Sequence, residues 1–218
     1  MDRPLKSKMN YSLPNQLDCL SNPPFPKFSV ATDEDLAKIK LPWWRYAQID
    51  EEVIKLYETT DVRSMPLPVF DIAKKLNIKC IQYHQLDSKI LSILESVSED
   101  AFTIVLTTSE KAYILYNQNV IIERIKFSIM HEIGHLRLKH KEHSLLAEIE
   151  ANYFAVRSLC PVEILEHLKI NSKEEITKMF GVSEEFAKNR LKDLESRKRM
   201  FLSETAIRTR NKIIDRFI

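Results

Sequence analysis

The sequence predicts an α+β fold that is mostly helical, with a small β-sheet or hairpin, followed by a small helical module. Three observations carry this. Apolar residues recur at helical spacing on both sides of the chain's middle. The segments AFTIVLTT (101–108) and AYILYN (112–117) are rich in β-branched and aromatic residues. Beyond Pro161 the pattern is helical to the end.

Residues 1–42 contain Pro4, Pro14, Pro23, Pro24, Pro26 and Pro42, a density that blocks long helices and predicts an extended arm. From Trp43, Tyr46, Ile49, Val53, Leu56 and Tyr57 recur at helical spacing with Asp50, Glu51 and Glu52 between them, predicting an amphipathic helix. VFDIAKKL predicts a second short helix that buries Val69, Ile72, Ala73 and Leu76 and stops at Asn77; Ile78 to Tyr83 follows as a strand. The two β-rich segments, separated by Ser109, Glu110 and Lys111, predict a hairpin, with 112–117 as its open edge. Helices are expected over 121–140 and 145–159, the second ended by Cys160-Pro161 because proline disfavours helix in the residue before it. The chain therefore divides into an N-terminal extension (1–42), a main domain (43–165) and a helical C-terminal region (166–218).

At 218 residues, 44% hydrophobic and 29% charged, the chain suits a soluble domain of ordinary size with small additions. A net charge of +2 gives no global field for nucleic acid or anionic lipid, and no uncharged stretch is long enough to span a bilayer. The first residues, MDRPLKSKMNYSLP, lack the apolar run of a secretory signal, so a cytoplasmic protein is expected. Cys19, Cys80 and Cys160 are odd in number and widely spaced, which predicts reduced thiols.

The chemistry concentrates in HEIGH. Residues four apart on a helix lie one above the other, so His131 and His135 present two imidazoles that one metal ion can bridge. Zinc is the expected metal, since imidazoles with one carboxylate and an open fourth position make up the usual hydrolytic zinc site. Glu132 lies about 100° round the helix from His131, beside the ligands rather than among them, which suits a general base acting on water at the metal. Random placement would produce such a motif only about 0.015 times in a chain of this composition. Ile122, Ile125, Ile129, Ile133 and Leu136 form a stripe nearly opposite the histidines, giving the helix a core side. Gly134 is one of only two glycines, and a mid-helix glycine costs about 1 kcal/mol relative to alanine, so a neighbouring backbone is expected to approach there.

A third ligand is needed. The position six residues after His135, where a third histidine stands in one metallopeptidase pattern, is Lys141; His140 and His143, among lysines, are expected at the surface. LLAEIEANYFA offers Glu148 and Glu150 instead, flanking a small-residue stripe of Ala147, Ala151 and Ala155 that lets the two helices approach. Helical projection does not choose between the two glutamates.

The segment RIKFSIMHEIGHLRLKH, followed by EIEANYFAVRSLCP, strongly resembles the ImmA/IrrE family of metallopeptidases, in which HExxH precedes E-x-E-A-x-x-F-A and a leucine-proline helix end. PVFDIAKKLNI (68–78) is similar to the family's early helix, so the resemblance spans roughly 45–195. It implies a zincin-like zinc metallopeptidase domain. It also implies Glu150 as the third ligand, because the E-A step looks like that of thermolysin-type enzymes, and leaves Glu148 structural. The aspartate that those enzymes carry four residues after the ligand is then Phe154. Characterised relatives cut helix-turn-helix repressors of phages, mobile elements or damage responses, so the implied substrate is a transcriptional repressor.

Residues 174–194 form a helix-turn-helix-like pattern around Gly181, with Ser183 as an N-cap. Ten Lys/Arg against six Asp/Glu from Gly181 to Ile218 keep DNA contact open, although Glu184 and Glu185 oppose phosphates. The rival to a peptidase is thus a DNA- or protein-binding regulator with a structural or silent zinc site.

Overall fold

Pro42 gives way to the first helix of the computed structural model, which describes residues 40–88, 100–106, 111–141, 144–197 and 204–218. The proline-rich extension lies outside these residues except for its last three, as do Cys19 and His143. Helix α1 (Trp43–Thr60) buries Ile49, Val53, Leu56 and Tyr57, the periodic face expected of it, and ends where Asp61 turns left-handed. Helix α2 (Val69–Lys75) buries Val69, Ile72 and Ala73 and is followed by Asn77 at φ 59°, a conformation asparagine tolerates well.

Strands β1 (Ile78–Gln82), β2 (Ala101–Leu106) and β3 (Lys111–Tyr116) form one sheet in the order β1-β3-β2. The β2–β3 hairpin is antiparallel, with Ala101 opposite Tyr116 and Leu106 opposite Lys111. β1 runs parallel to β3, with Ile78 opposite Ala112. The expected open edge at 112–117 is therefore corrected: β3 is the central strand, with a strand bonded on each side. Its centre, Ile114 and Leu115, is buried on both faces, as central strands are. Among the described residues the sheet edges are β1 and β2.

Helix α3 (Ile122–Arg137) packs against β2 and β3 and places Ile125, Ile129 and Ile133 in the core. Ile122 does not join that stripe: it stands in the first turn and is 48% exposed. The helix stops short of the expected 140 because Lys139 adopts φ 58°; the Lys139 N–H bonds the Leu136 carbonyl and the His140 N–H bonds the His135 carbonyl, a Schellman ending. Helix α4 (Leu145–Leu159) is capped by Ser144, whose hydroxyl accepts from the Ala147 N–H at 3.1 Å, and ends at Cys160-Pro161 as expected.

Helices α5 (Val162–Leu168), α6 (Lys173–Phe180), α7 (Glu184–Arg197) and α8 (Glu204–Phe217) follow among the described residues. α6 and α7 are joined around Gly181, at φ 60°, where a Cβ would press on Pro66 at 3.2 Å. Ile176, Phe180, Ala187 and Leu194 belong to the same core as Ile129 and Ile133, so the apolar faces of this helical pair are used in packing. α8 stacks Phe217 edge-on against Tyr57, and Arg216 donates to the carbonyls of Val62 (2.7 Å) and Tyr57 (2.6 Å), adding a side-chain donor where α1 ends. No helix among the described residues is long and apolar enough to cross a membrane.

One polar cluster sits inside this core. Arg157, 1% exposed, donates to Asp50 at 2.7 Å and in fork geometry to Glu163 at 2.9 and 2.8 Å, tying α1, α4 and α5 together. Removing one member of a buried ion cluster strands the others without compensation. Arg157→Ala is accordingly expected to destabilise the fold by about 3–5 kcal/mol in denaturant titration. A loss below about 1 kcal/mol would mean that water reaches Asp50 and Glu163.

Candidate metal centre

The pairing of α3 with α4 builds the site. Ala147, Ala151 and Ala155 are all buried, and a Cβ on Gly134 would lie 3.1 Å from the Phe154 ring and 3.3 Å from the Ala151 backbone. The expected backbone approach at Gly134 is therefore present, and Ala151 is what approaches. A branched side chain there must push α4 away. Gly134→Val is expected to cost about 1–3 kcal/mol in thermal or denaturant unfolding and to weaken metal binding, because the displaced helix carries a carboxylate of the site.

On the facing surfaces, His131 Nε2 and His135 Nε2 lie 2.9 Å apart, and the Glu148 carboxylate reaches them at 3.1 and 3.4 Å. These three ligand atoms fall within 4.8 Å of one another. The far nitrogens are occupied: His131 Nδ1 meets Asn152 Oδ1 at 2.8 Å, and His135 Nδ1 meets His140 Nδ1 at 2.9 Å. A proton on Nδ1 of each ligand histidine leaves both Nε2 lone pairs pointing at one spot beside a carboxylate, an arrangement that a cation between them stabilises. Burial disfavours charge on His131, yet the neighbouring Glu148 and Glu132 carboxylates outweigh this and raise its pKa, so the pocket favours positive charge. Two imidazoles and a carboxylate are a donor set that suits zinc.

Glu132 stands apart from that convergence. Its carboxylate accepts a hydrogen bond from Thr103 Oγ1 on β2 at 2.5 Å, which brings the sheet edge to the site. Phe127 and Phe186 stack edge-on, their centroids 6.3 Å apart, and Phe127 also neighbours the His131 ring.

The glutamate implied by resemblance, Glu150, is not brought to His131 and His135. It is buried, with its two oxygens bonded to Arg45 Nε (2.6 Å) and Arg45 Nη2, and one of them also to His140 Nε2 at 2.9 Å. Burial opposes its charge, but Arg45 and His140 prevail and hold its pKa below the usual carboxylate value. Glu148 and Glu150 lie two positions apart, about 200° round the helix, so one cannot follow the other into the same pocket. The expectation for His140 is also corrected. Its side chain is only 11% exposed, because the left-handed turn at Lys139 folds it back beside His135. Burial lowers its pKa, and Glu150 offsets this only in part.

Sequence reasoning missed Thr103, Asn152, His140 and Arg45. Asn152 alone had a local signal: it stands four residues after Glu148, one helical turn on, and therefore on the same face. Burial pushes the Cys80 thiol up to about 11 and the Cys160 thiol up to about 12, so neither supplies a thiolate near neutrality.

A comparison with curated proteins finds no match to this chain. The family model described as IrrE N-terminal-like domain, Peptidase_M78, matches residues 60–192, which include α3, α4 and every residue of the cluster except Arg45. With more than half its length matched, the chain belongs to this family of metallopeptidases.

Proposed function

We propose that the chain is a zinc-dependent endopeptidase in which His131, His135 and Glu148 hold the metal and Glu132 is the general base. The observation that carries this is the convergence of the two Nε2 atoms and the Glu148 carboxylate, with Glu132 one position along the same helix but outside the cluster. Zinc in such a site supplies an acidified water and a Lewis acid for the scissile carbonyl. Glu132 takes a proton from the attacking water and returns it to the leaving amine. Thr103 keeps one Glu132 oxygen engaged and so fixes where the other points. Placing the third ligand at Glu148 also removes the anomaly left by Glu150: the position four residues on becomes Asn152, whose Oδ1 holds His131 Nδ1.

The substrate we propose is a helix-turn-helix transcriptional repressor, supported by the resemblance to characterised ImmA/IrrE proteins. An extended segment of it fits best along β2, the sheet edge that carries Thr103 beside Glu132, by adding backbone hydrogen bonds. Co-expression with helix-turn-helix repressors of the same genome, followed by mass mapping, is expected to give two fragments of one of them from one cut at a fixed bond. Repressors that all stay intact, or ragged cleavage at many bonds, would remove the substrate assignment.

A further inference from the structure

Resting on that metal site, we infer that His140, Glu150 and Arg45 form a support chain that fixes the tautomer and orientation of His135, and that α1 is thereby part of the metal centre. Only one proton arrangement satisfies the contacts. If His135 Nε2 offers its lone pair to a metal, the ring proton sits on Nδ1, which lies 2.9 Å from His140 Nδ1. Two protonated nitrogens cannot bond each other, so His140 Nδ1 is the acceptor and its own proton sits on Nε2. That proton points at Glu150 Oε2, 2.9 Å away. Glu150 must then be an acceptor at both oxygens, and Arg45 meets both, through Nε and Nη2. Arginine keeps its proton under all ordinary conditions, so the far end of the chain is a fixed charge.

Each link comes from a different element. His135 is on α3, His140 on the turn after it, Glu150 on α4 and Arg45 in the first turn of α1. Arg45 lies outside residues 60–192, so the matched segment by itself lacks the last link. His131 is held separately, by Asn152. The two ligand histidines thus have unlike supports, a neutral amide for one and an imidazole–carboxylate–guanidinium chain for the other. Such outer contacts raise ligand basicity and keep the ring in the ligating pose. His140, Glu150 and Arg45 are positioning residues: none is among the converging ligand atoms.

The test uses the full-length chain loaded with zinc. Long-range proton–nitrogen NMR of the imidazoles is expected to show His135 protonated at Nδ1 and His140 neutral, protonated at Nε2 only. In chelator competition, His140→Ala is expected to keep one zinc per chain but lower its affinity about 10–100-fold, with Arg45→Met moving the same way. His140→Gln, which retains an acceptor and a donor, is expected to recover part of the loss and guards against an alanine variant that fails to fold. A proton on His140 Nδ1, or zinc affinity within about twofold of wild type in both His140→Ala and Arg45→Met, would overturn the chain while leaving the metal site intact. A wild-type protein that binds no zinc would remove the metal site itself and the support chain with it.

Discussion

Glu132→Ala is expected to bind one zinc ion with wild-type affinity and to cleave its substrate about 10²–10⁴-fold more slowly. The two halves of this result have separate causes. The Glu132 carboxylate is bonded to Thr103 and is not among the atoms that converge from His131, His135 and Glu148, so its removal leaves the ligand set whole. The rate falls because water at the metal then loses the group that accepts its proton in the transition state, and bulk water is a poorer and unpositioned substitute. Zinc affinity by chelator competition and single-turnover cleavage separate the effects. Loss of zinc together with activity would place Glu132 among the ligands, and cleavage at the wild-type rate would leave the peptidase proposal without its base.

The second large effect separates two glutamates only two positions apart. Glu148→Gln is expected to weaken zinc binding by more than about 100-fold, beyond the range that outer contacts reach, because a neutral amide replaces the one carboxylate that, among the described residues, meets both ligand nitrogens. Glu150→Gln is expected to fall within about 10–100-fold, since it weakens a support rather than removing a ligand. It also leaves Arg45 beside a neutral amide, so some loss of fold stability is expected with it. Equilibrium dialysis of both variants decides the matter. A larger loss in Glu150→Gln would restore the assignment that resemblance implied.

The E-x-E-A run contains two glutamates flanking one alanine stripe, and either fits a helix that packs close to HEIGH. The choice depends on the rotation of α4 about its own axis, which is set by Gly134 and Phe154 meeting the backbone and side chains between the helices. It also depends on Arg45, which draws Glu150 away from the pocket from more than a hundred residues upstream. Neither influence is local to the run, and a local pattern cannot register them.

His140 was misplaced for a related reason. Its lysine neighbours describe a surface, and Lys139 is indeed exposed, but one left-handed residue reverses the chain and carries the next side chain inward. Lysine is not a residue that announces such a turn, unlike Gly181 at the end of α6 or Asn77 after α2. The sheet shows the same division. The hairpin was legible because its strands are adjacent and rich in β-branched residues, whereas the parallel pairing of β1 with β3 joins segments some thirty residues apart and turned the expected edge into the centre.

By itself, then, the sequence determined the α+β character, most helix limits, the HEIGH helix with its core side, and the close approach at Gly134. These follow from periodicity, caps and residue size, which act within a few turns of chain. Tertiary structure alone decided which strand is central, which glutamate faces the histidines and what steadies His131 and His135. Those depend on how helices rotate against one another and on a charge delivered from α1, and such quantities exist only once the core has closed.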